Sequence, residues 1–179
     1  MQLKEHIFYG GSASIVLYPT FGPVTAFFFI GSVLIDVDHY IDFLYFAGFR
    51  NWSVRAMFRF HSILARWRNK PNLYALEAFH TMEFFAALLA VGIYFKSSIL
   101  LLTFAGMVFH LFLDLIRLRQ YNGVHLRALS FIEYWIKARR MKAAGIDPEG
   151  VIKEAYAASL ISAPDNLEIA VPALDEVSA

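Results

Sequence analysis

Cysteine is absent from this chain of 179 residues, so disulfide bonds and thiolate metal sites are excluded. Charged residues are also scarce, at 17%, whereas hydrophobic residues make up 58% of the chain and the mean hydropathy is +0.50. An ordinary soluble domain carries about 25% charged and about 45–50% apolar residues. The composition therefore predicts an integral membrane protein.

An excess of charge of one sign is missing as well. The formal net charge is only +1, whereas binding to a nucleic-acid backbone needs a clustered and unbalanced basic surface. The chain also lacks heptad repeats, and its 18 Phe, 9 Tyr and 3 Trp residues are untypical of a disordered protein. We therefore expect neither a nucleic-acid partner nor a coiled coil.

Four long apolar runs predict an all-α membrane protein built as a four-span helical bundle. The first two runs flank a turn that contains Pro19, Gly22 and Pro23, which indicates a helical hairpin. Because a full span needs about 20 residues, we expect the helices to extend into polar neighbours. The predicted spans cover residues 3–18, 23–46, 76–95 and 99–117.

Two segments outside the spans mix basic residues with aromatic and aliphatic ones. This pattern, over residues 50–71 and 125–143, is typical of amphipathic helices that lie in the membrane interface. Residues 163–179 contain acidic residues and prolines but no basic residue, which predicts a mobile tail. Residues 1–162 would then form a single transmembrane domain.

The distribution of positive charge predicts the orientation. Of the 16 basic residues, 13 lie within residues 50–71 and 117–142. The positive-inside rule places these segments and both termini in the cytoplasm, as in a multi-pass protein of a bacterial or archaeal inner membrane. The two opposite loops are too short to hold a site, so we expect any chemistry to face the cytoplasm.

Ionisable residues concentrate at one end of all four predicted spans. Because successive spans run in opposite directions, the starts of spans one and three and the ends of spans two and four lie at the same membrane face. The residues are His6, Asp36, Asp38, His39, Asp42, Glu77, His80, Glu83, His110 and Asp114. Such groups inside apolar helices are costly, so they suggest a functional site.

The spacing of these residues suits metal binding. Three pairs are three or four residues apart and share a helical face: Asp36 with His39, His80 with Glu83, and His110 with Asp114. Asp36 and Asp38 lie about 200° apart on an ideal helix, so either they bind different ions, or one supports another ligand, or the helix is distorted. Imidazoles mixed with carboxylates match Zn²⁺, with Mn²⁺ or Fe²⁺ as alternatives, better than Ca²⁺ or Mg²⁺. The number of candidate ligands favours two ions.

The motifs resemble those of the YdjM-like family of inner-membrane metal-dependent hydrolases. The matching elements are His6-x-x-x-Gly10, Gly31-Ser-Val-Leu-Ile-Asp36-Val-Asp38-His39, Phe79-His80-Thr81 and Gly106-Met-Val-Phe-His110-Leu-Phe-Leu-Asp114. The resemblance covers about residues 3 to 120 and implies metal-ligand roles for His6, Asp36, Asp38, His39, His80, His110 and Asp114. Ile35 replaces the family's usual proline, and Ala75 replaces a histidine. Glu77, Glu83 and His61 are candidates to replace that missing imidazole.

These patterns predict a metal-dependent hydrolase that acts on a phospholipid or another lipid-linked phosphoester. Two ions can bind both the attacking and the leaving oxygen of a phosphoester. We expect Glu83 or Asp42 to act as the general acid, and Arg117 or Arg119 to hold the headgroup phosphate. A divalent-metal transporter and a non-catalytic metal-binding scaffold are the alternatives, although the outer halves of the spans contain few polar residues that could form an ion pathway.

Overall fold

The computed structural model describes residues 3–120 and 123–161, so the predicted tail over residues 163–179 lies outside the described residues. Within them the chain is mainly helical, as predicted. The helices are α1 (Leu3–Phe21), α2 (Thr25–Leu34), α3 (Val37–Phe46), α4 (Val54–Arg66), α5 (Met82–Tyr94), α6 (Ser98–Gln120), α7 (Phe131–Ala143) and α8 (Gly150–Leu160). Two short strands, β1 (Ala75–Leu76) and β2 (Arg127–Ala128), pair in parallel.

The predicted hairpin between the first two apolar runs is confirmed. Gly22 takes a positive φ of 63°, which a residue with a side chain rarely adopts, and a short 3₁₀ turn over Gly22–Val24 leads into α2. The Ser14 hydroxyl donates a hydrogen bond of 2.7 Å to the carbonyl oxygen of Thr25. Helix α1 therefore folds back against α2.

Helix α6 contacts α1, α2 and α5, and these four helices form an apolar bundle. A Cβ atom on Gly31 would lie 2.2 Å from the carbonyl oxygen of Thr103, and one on Gly106 would lie 2.0 Å from that of Phe28. These distances are too short for any side chain. The backbones of α2 and α6 are therefore in direct contact, as in membrane helices that meet at small residues.

Two helical stretches, Lys4–Phe46 and Ser98–Gln120, are long and apolar enough to cross a membrane. The first contains the hairpin turn and a second break at residues 35–36. Helix α5 has 13 residues and starts at Met82, so it is shorter than the span predicted over residues 76–95. The count of four spans, the insertion into a membrane and the orientation remain predictions.

Helices α4 and α8 pack together and contact the end of α3, and we call this pair the polar layer. Phe60 and Ile63 of α4 pack with Phe43 of α3 and with Ile152 and Ala155 of α8 in one buried cluster. Helices α4 and α7 fall inside the segments predicted to be amphipathic helices. Helix α8 was not predicted, and neither was the β1–β2 pair.

Candidate metal centre

A break between α2 and α3 places two carboxylates at the same site. The backbone N–H of Asp38 donates to the carbonyl oxygen of Ile35 at 3.3 Å, and that of His39 donates to Asp36 at 3.1 Å. Such bonds between residues three apart tighten the backbone relative to an α-helix. Asp36 and Asp38, which would point apart on an ideal helix, therefore both reach the cluster described below.

Four side chains form the core of a candidate metal centre. They are Asp36, His80, His110 and Asp114, whose ligand atoms all lie within 4.8 Å of one another. Nε2 of His110 is 3.3 Å from Oδ1 of Asp36 and 3.6 Å from Oδ2 of Asp114. Nε2 of His80 is 4.0 Å from the same oxygen of Asp36. This cluster could hold a metal ion.

The imidazole rings of His80 and His110 are each oriented by a hydrogen bond at Nδ1, on the side of the ring that faces away from the cluster. Nδ1 of His110 lies 2.8 Å from the carbonyl oxygen of Ser32, which can only accept, so this nitrogen carries the proton. Nδ1 of His80 lies 2.9 Å from Oδ2 of Asp38 and, in the neutral ring, donates to it. In these tautomers both Nε2 atoms present a lone pair to the cluster, as metal-ligating histidines do.

The chemistry of the donor set fits a divalent cation. The Nε2 atoms of His80 and His110 are buried and have no hydrogen-bond partner among the described residues. Their lone pairs point to the same space as the carboxylate oxygens of Asp36 and Asp114. Lone pairs and negative charges gathered in a buried site repel one another unless a positive charge lies between them.

Asp38 contacts the ring of His80 and is not one of the four core residues of the cluster. Its side chain is 1% exposed, and its Oδ2 atom accepts hydrogen bonds from the His80 ring and from the backbone N–H of Phe79 at 3.1 Å. Carboxylates commonly orient metal-binding histidines in this way. Of the alternatives that the sequence left open, the geometry favours a distorted helix with Asp38 as the residue that orients His80.

His6 and His39 flank the core on two sides. Nε2 of His6 is 3.2 Å from Oδ1 of Asp114, and the His6 ring stacks on His110 with centroids 3.7 Å apart. Nε2 of His39 is 3.4 Å from Oδ1 of Asp36. The structure therefore brings together the seven residues for which the resemblance implies metal-ligand roles. Glu83, a further candidate, does not join them.

An ion pair that the sequence analysis did not assign borders the centre. Nη1 of Arg127 is 3.2 Å from Oδ2 of Asp114, and Nη2 pairs with Oε2 of Glu77. Burial alone would lower the pKa of Arg127, but the carboxylates of Glu77 and Asp114 outweigh it and raise the pKa, so the guanidinium stays charged. One arginine does not balance Asp36, Asp38, Glu77 and Asp114. With the imidazoles neutral, negative charge therefore remains for a cation to neutralise.

The pairing of β1 with β2 explains how Arg127 reaches the site. Ala75 pairs with Arg127 and Leu76 with Ala128, which places Arg127 beside Glu77. In the sequence, Arg127 belonged to a basic segment predicted to anchor at the membrane interface. Two-residue strands leave no periodic signal, so only the fold reveals this contact.

The residues predicted to be catalytic, Glu83, Asp42 and Arg117, do not lie together. Oε1 of Glu83 accepts a hydrogen bond from Ser130, and Oε2 accepts one of 3.2 Å from the N–H of Phe131, at the start of α7. Asp42 lies on α3 and lines a cavity beside Glu77. Arg117 is half-buried in the last turn of α6. The structure thus does not bring Glu83 to the metal ligands, and it places Arg127 directly against Asp114.

The ring of His61 contacts the backbone of His39. Nε2 of His61 lies 2.8 Å from the carbonyl oxygen of His39, to which it donates. Burial and the neighbouring His39 lower the pKa of His61 to about 4, so the ring is neutral at physiological pH. Since its Nε2 atom is engaged with the backbone, His61 does not take the place of the missing imidazole in the core of the cluster.

Comparisons with protein-family models, with curated proteins and with solved structures found no match. The resemblance to the YdjM-like family, and the activity that it implies, remain predictions.

Proposed function

We propose that this chain is a membrane-embedded, metal-dependent hydrolase that acts on a phospholipid or another lipid-linked phosphoester at the cytoplasmic face of the membrane. One observation carries the proposal. The buried Nε2 atoms of His80 and His110 lack hydrogen-bond partners among the described residues, and they converge with the carboxylates of Asp36 and Asp114. Two imidazoles and two carboxylates suit Zn²⁺, Mn²⁺ or Fe²⁺.

The proposed metal site has a core and a flank. Asp36, His80, His110 and Asp114 would hold one ion. Oδ1 of Asp36 lies 3.3 Å from Nε2 of His110 and 3.4 Å from Nε2 of His39. This oxygen could therefore bridge the first ion and a second ion bound near His39. Bound divalent metal would supply an acidified water and positive charge opposite the phosphoryl oxygens.

The protein holds its ligands in position before any substrate arrives. Asp38 orients the His80 ring, and the carbonyl oxygen of Ser32 orients the His110 ring. Arg127 holds the carboxylates of Asp114 and Glu77. Because these groups are already oriented, little reorganisation is needed when charge develops on a phosphoryl group.

The location of the cluster supports a lipid substrate. His110 lies seven residues before Arg117, which is about 10 Å along a helix. A lipid whose acyl chains lie against the bundle could place its phosphate near both residues, and Arg117 or Arg119 could pair with it. The Glu83 carboxylate is engaged with Ser130 and is therefore poorly placed to act as the general acid.

Metal content and cleavage test the proposal together. We expect His110→Ala to lose bound metal, as measured by elemental analysis of the detergent-purified protein, and to lose at least about 100-fold in the rate of phospholipid cleavage, or about 2.7 kcal/mol. His125→Ala is the matched control, because His125 is exposed and lies outside the cluster. Equal metal content in the two variants would contradict the proposal.

A liposome assay separates the enzyme from its alternatives. The enzyme should cleave the phosphoester without moving metal into the vesicle. Metal uptake without cleavage would favour a transporter, especially if Thr103→Val in the outer half of α6 abolished it. Bound metal with neither activity would favour a scaffold.

A further inference from the structure

A cavity of about 280 Å³ lies beside the metal centre. Its walls come from the end of α3, from α4, from β1 and Glu77, from α7, and from the residues around the start of α8. We call it the acidic cavity, because the carboxylates of Asp42, Glu77 and Glu149 line it. Elements that are distant in sequence thus enclose a space that the proposed metal site does not use.

Carboxyl groups outnumber basic groups in the lining of the acidic cavity. In the described part of the chain no lysine or arginine lines it, and the Nε2 atom of its one histidine, His61, is engaged with the carbonyl oxygen of His39. The side chain of Asp42 makes no hydrogen bond or ion pair with a described residue. Lys153, outside the cavity, lies 3.2 Å from Glu149 but also 3.0 Å from Asp147, so one ammonium group serves two carboxylates.

Glu77 also contributes to this charge. It is 9% exposed, and its Oε2 atom pairs with Arg127. Its Oε1 atom makes no hydrogen bond with a described residue and lies 3.5 Å from Nδ1 of His39. An anion such as a phosphate would be repelled from the acidic cavity, whereas a cation would be attracted.

Aromatic rings share the lining with these carboxylates. Tyr45, Phe46, Phe60 and Tyr134 surround the same space. Tyr134 is held by stacking on Tyr74, with ring centroids 5.6 Å apart. Burial, and after it Glu149, Tyr45 and Asp42 in that order, raise the pKa of Tyr134. Aromatic faces beside carboxylates are the usual surroundings of an alkylammonium group.

A metal ion fits the acidic cavity less well than an organic cation does. The ligand-atom clusters in the described residues include Asp36, His80, His110 and Asp114, but none of the three carboxylates of the cavity. Ring carbons also cannot replace the water or oxygen ligands that a divalent cation requires.

The acidic cavity is close to the metal centre. Glu77 lines the cavity and lies 3.5 Å from His39, whose other ring nitrogen lies 3.4 Å from Asp36 of the core. His61 lines the cavity too, and its ring centroid is 4.8 Å from that of His39. The ring of His39 therefore separates the two sites, and a small molecule that carries both a phosphate and an ammonium group could reach both.

We propose that the acidic cavity binds an organic ammonium group, such as the one in the headgroup of an amine-bearing phospholipid. The inference rests on the proposed function only where it assigns this group to the substrate. In that case the phosphate of the headgroup lies at the metal centre and its ammonium group lies among Asp42, Glu149 and the aromatic rings.

Binding of choline and ethanolamine tests the inference without any turnover. The purified full-length chain in detergent would be titrated with each amine by calorimetry, with glycerol as an uncharged control of similar size. We expect both amines, but not glycerol, to bind. Asp42→Asn and Tyr134→Leu should each weaken binding about tenfold, since one removes the charge and the other the aromatic face.

A matched control is available on α8. Glu154 pairs with Lys70 at 2.7 Å on the surface and does not line the cavity. Glu154→Gln removes one negative charge near Glu149 and should leave the affinity for choline unchanged. Amines that bind no better than glycerol would overturn the inference, and so would equal weakening in Glu154→Gln and Asp42→Asn.

Vesicle cleavage identifies the source of the ammonium group. The wild-type protein would be compared on vesicles of phosphatidylethanolamine and of phosphatidylglycerol with identical acyl chains. Faster cleavage of the amine-bearing lipid, with the preference lost in Glu149→Gln, assigns the cavity to the substrate headgroup. Equal cleavage of both lipids together with amine binding assigns it to a free amine. Amine binding without cleavage of either lipid leaves the inference standing and refutes the proposed hydrolase.

Discussion

The apolar bundle and the polar layer of this chain are stabilised in different ways. In the bundle, α2 and α6 meet at Gly31 and Gly106 with their backbones in contact, and large apolar side chains such as Ile15 and Val16 are 75% and 77% exposed. In the polar layer, α4 and α8 bury a shared apolar cluster, and ion pairs such as Lys70 with Glu154 lie on the surface.

This difference is the one expected if the apolar bundle lies in lipid and the polar layer lies in water. Lipid chains are as apolar as leucine, so helices in a membrane associate through close packing and not through burial of apolar surface. In water, burial of apolar surface dominates. The residues of the candidate metal centre come from α1, α3 and α6, from the break between α2 and α3, and from the segments around β1 and β2.

The largest expected effect falls on the core of the polar layer. Ile63 is 8% exposed within the cluster of α4 and α8. Ile63→Ala should lower the free energy of unfolding by about 3 to 4 kcal/mol, because it leaves a cavity in that core. Denaturant titration followed by circular dichroism measures this loss. Bound metal should remain unchanged under native conditions, and its loss would show that the two regions form one unit.

Close packing in the bundle should be almost as sensitive. Gly106→Ala would place a Cβ atom 2.0 Å from the backbone of α2 and should lower stability by about 2 to 3 kcal/mol. His110 lies one helical turn further along α6, so we also expect weaker metal binding. Gly11→Ala is the control, since its Cβ atom would lie 3.8 Å from Phe29. Equal stability of the two variants in detergent would contradict the backbone contact.

A smaller effect on metal binding is expected for Asp38, which orients the proposed metal ligand His80. Asp38→Ala removes the carboxylate that orients His80 and should weaken metal binding by roughly 10- to 100-fold, as measured by competition with a chelator. Asp36→Ala removes a proposed ligand and should weaken binding further. If Asp38→Ala proved the more damaging change, Asp38 would itself be a ligand.

The smallest effect is expected on the surface of the polar layer. Glu154→Gln breaks the ion pair with Lys70 and should change stability by less than about 0.5 kcal/mol, because both side chains are partly solvated. Denaturation at low and high salt would measure this change. A difference of several kcal/mol would mean that this surface is not in water.

Much of the fold was predictable because apolar periodicity is a local property. The hairpin at Gly22 and the amphipathic helix α4 follow from residues that are close in the chain. Helix α8 was missed, since residues 150–160 form a short pattern next to a tail of different composition. The sequence left the break after Leu34 as one of several alternatives, because the apolar run continues through Ile35 and only the hydrogen bonds around Asp36 show it.

The sequence by itself determined that imidazoles and carboxylates meet at one end of the bundle, because the direction of successive helices alternates with chain order. Only the tertiary structure decided what each group does there. The proton on His110 is fixed by the carbonyl oxygen of Ser32, which lies 78 residues away, and Arg127 reaches Glu77 through a two-residue strand pair. Hydrogen bonds between residues so far apart depend on how the helices pack, and no local pattern records that packing.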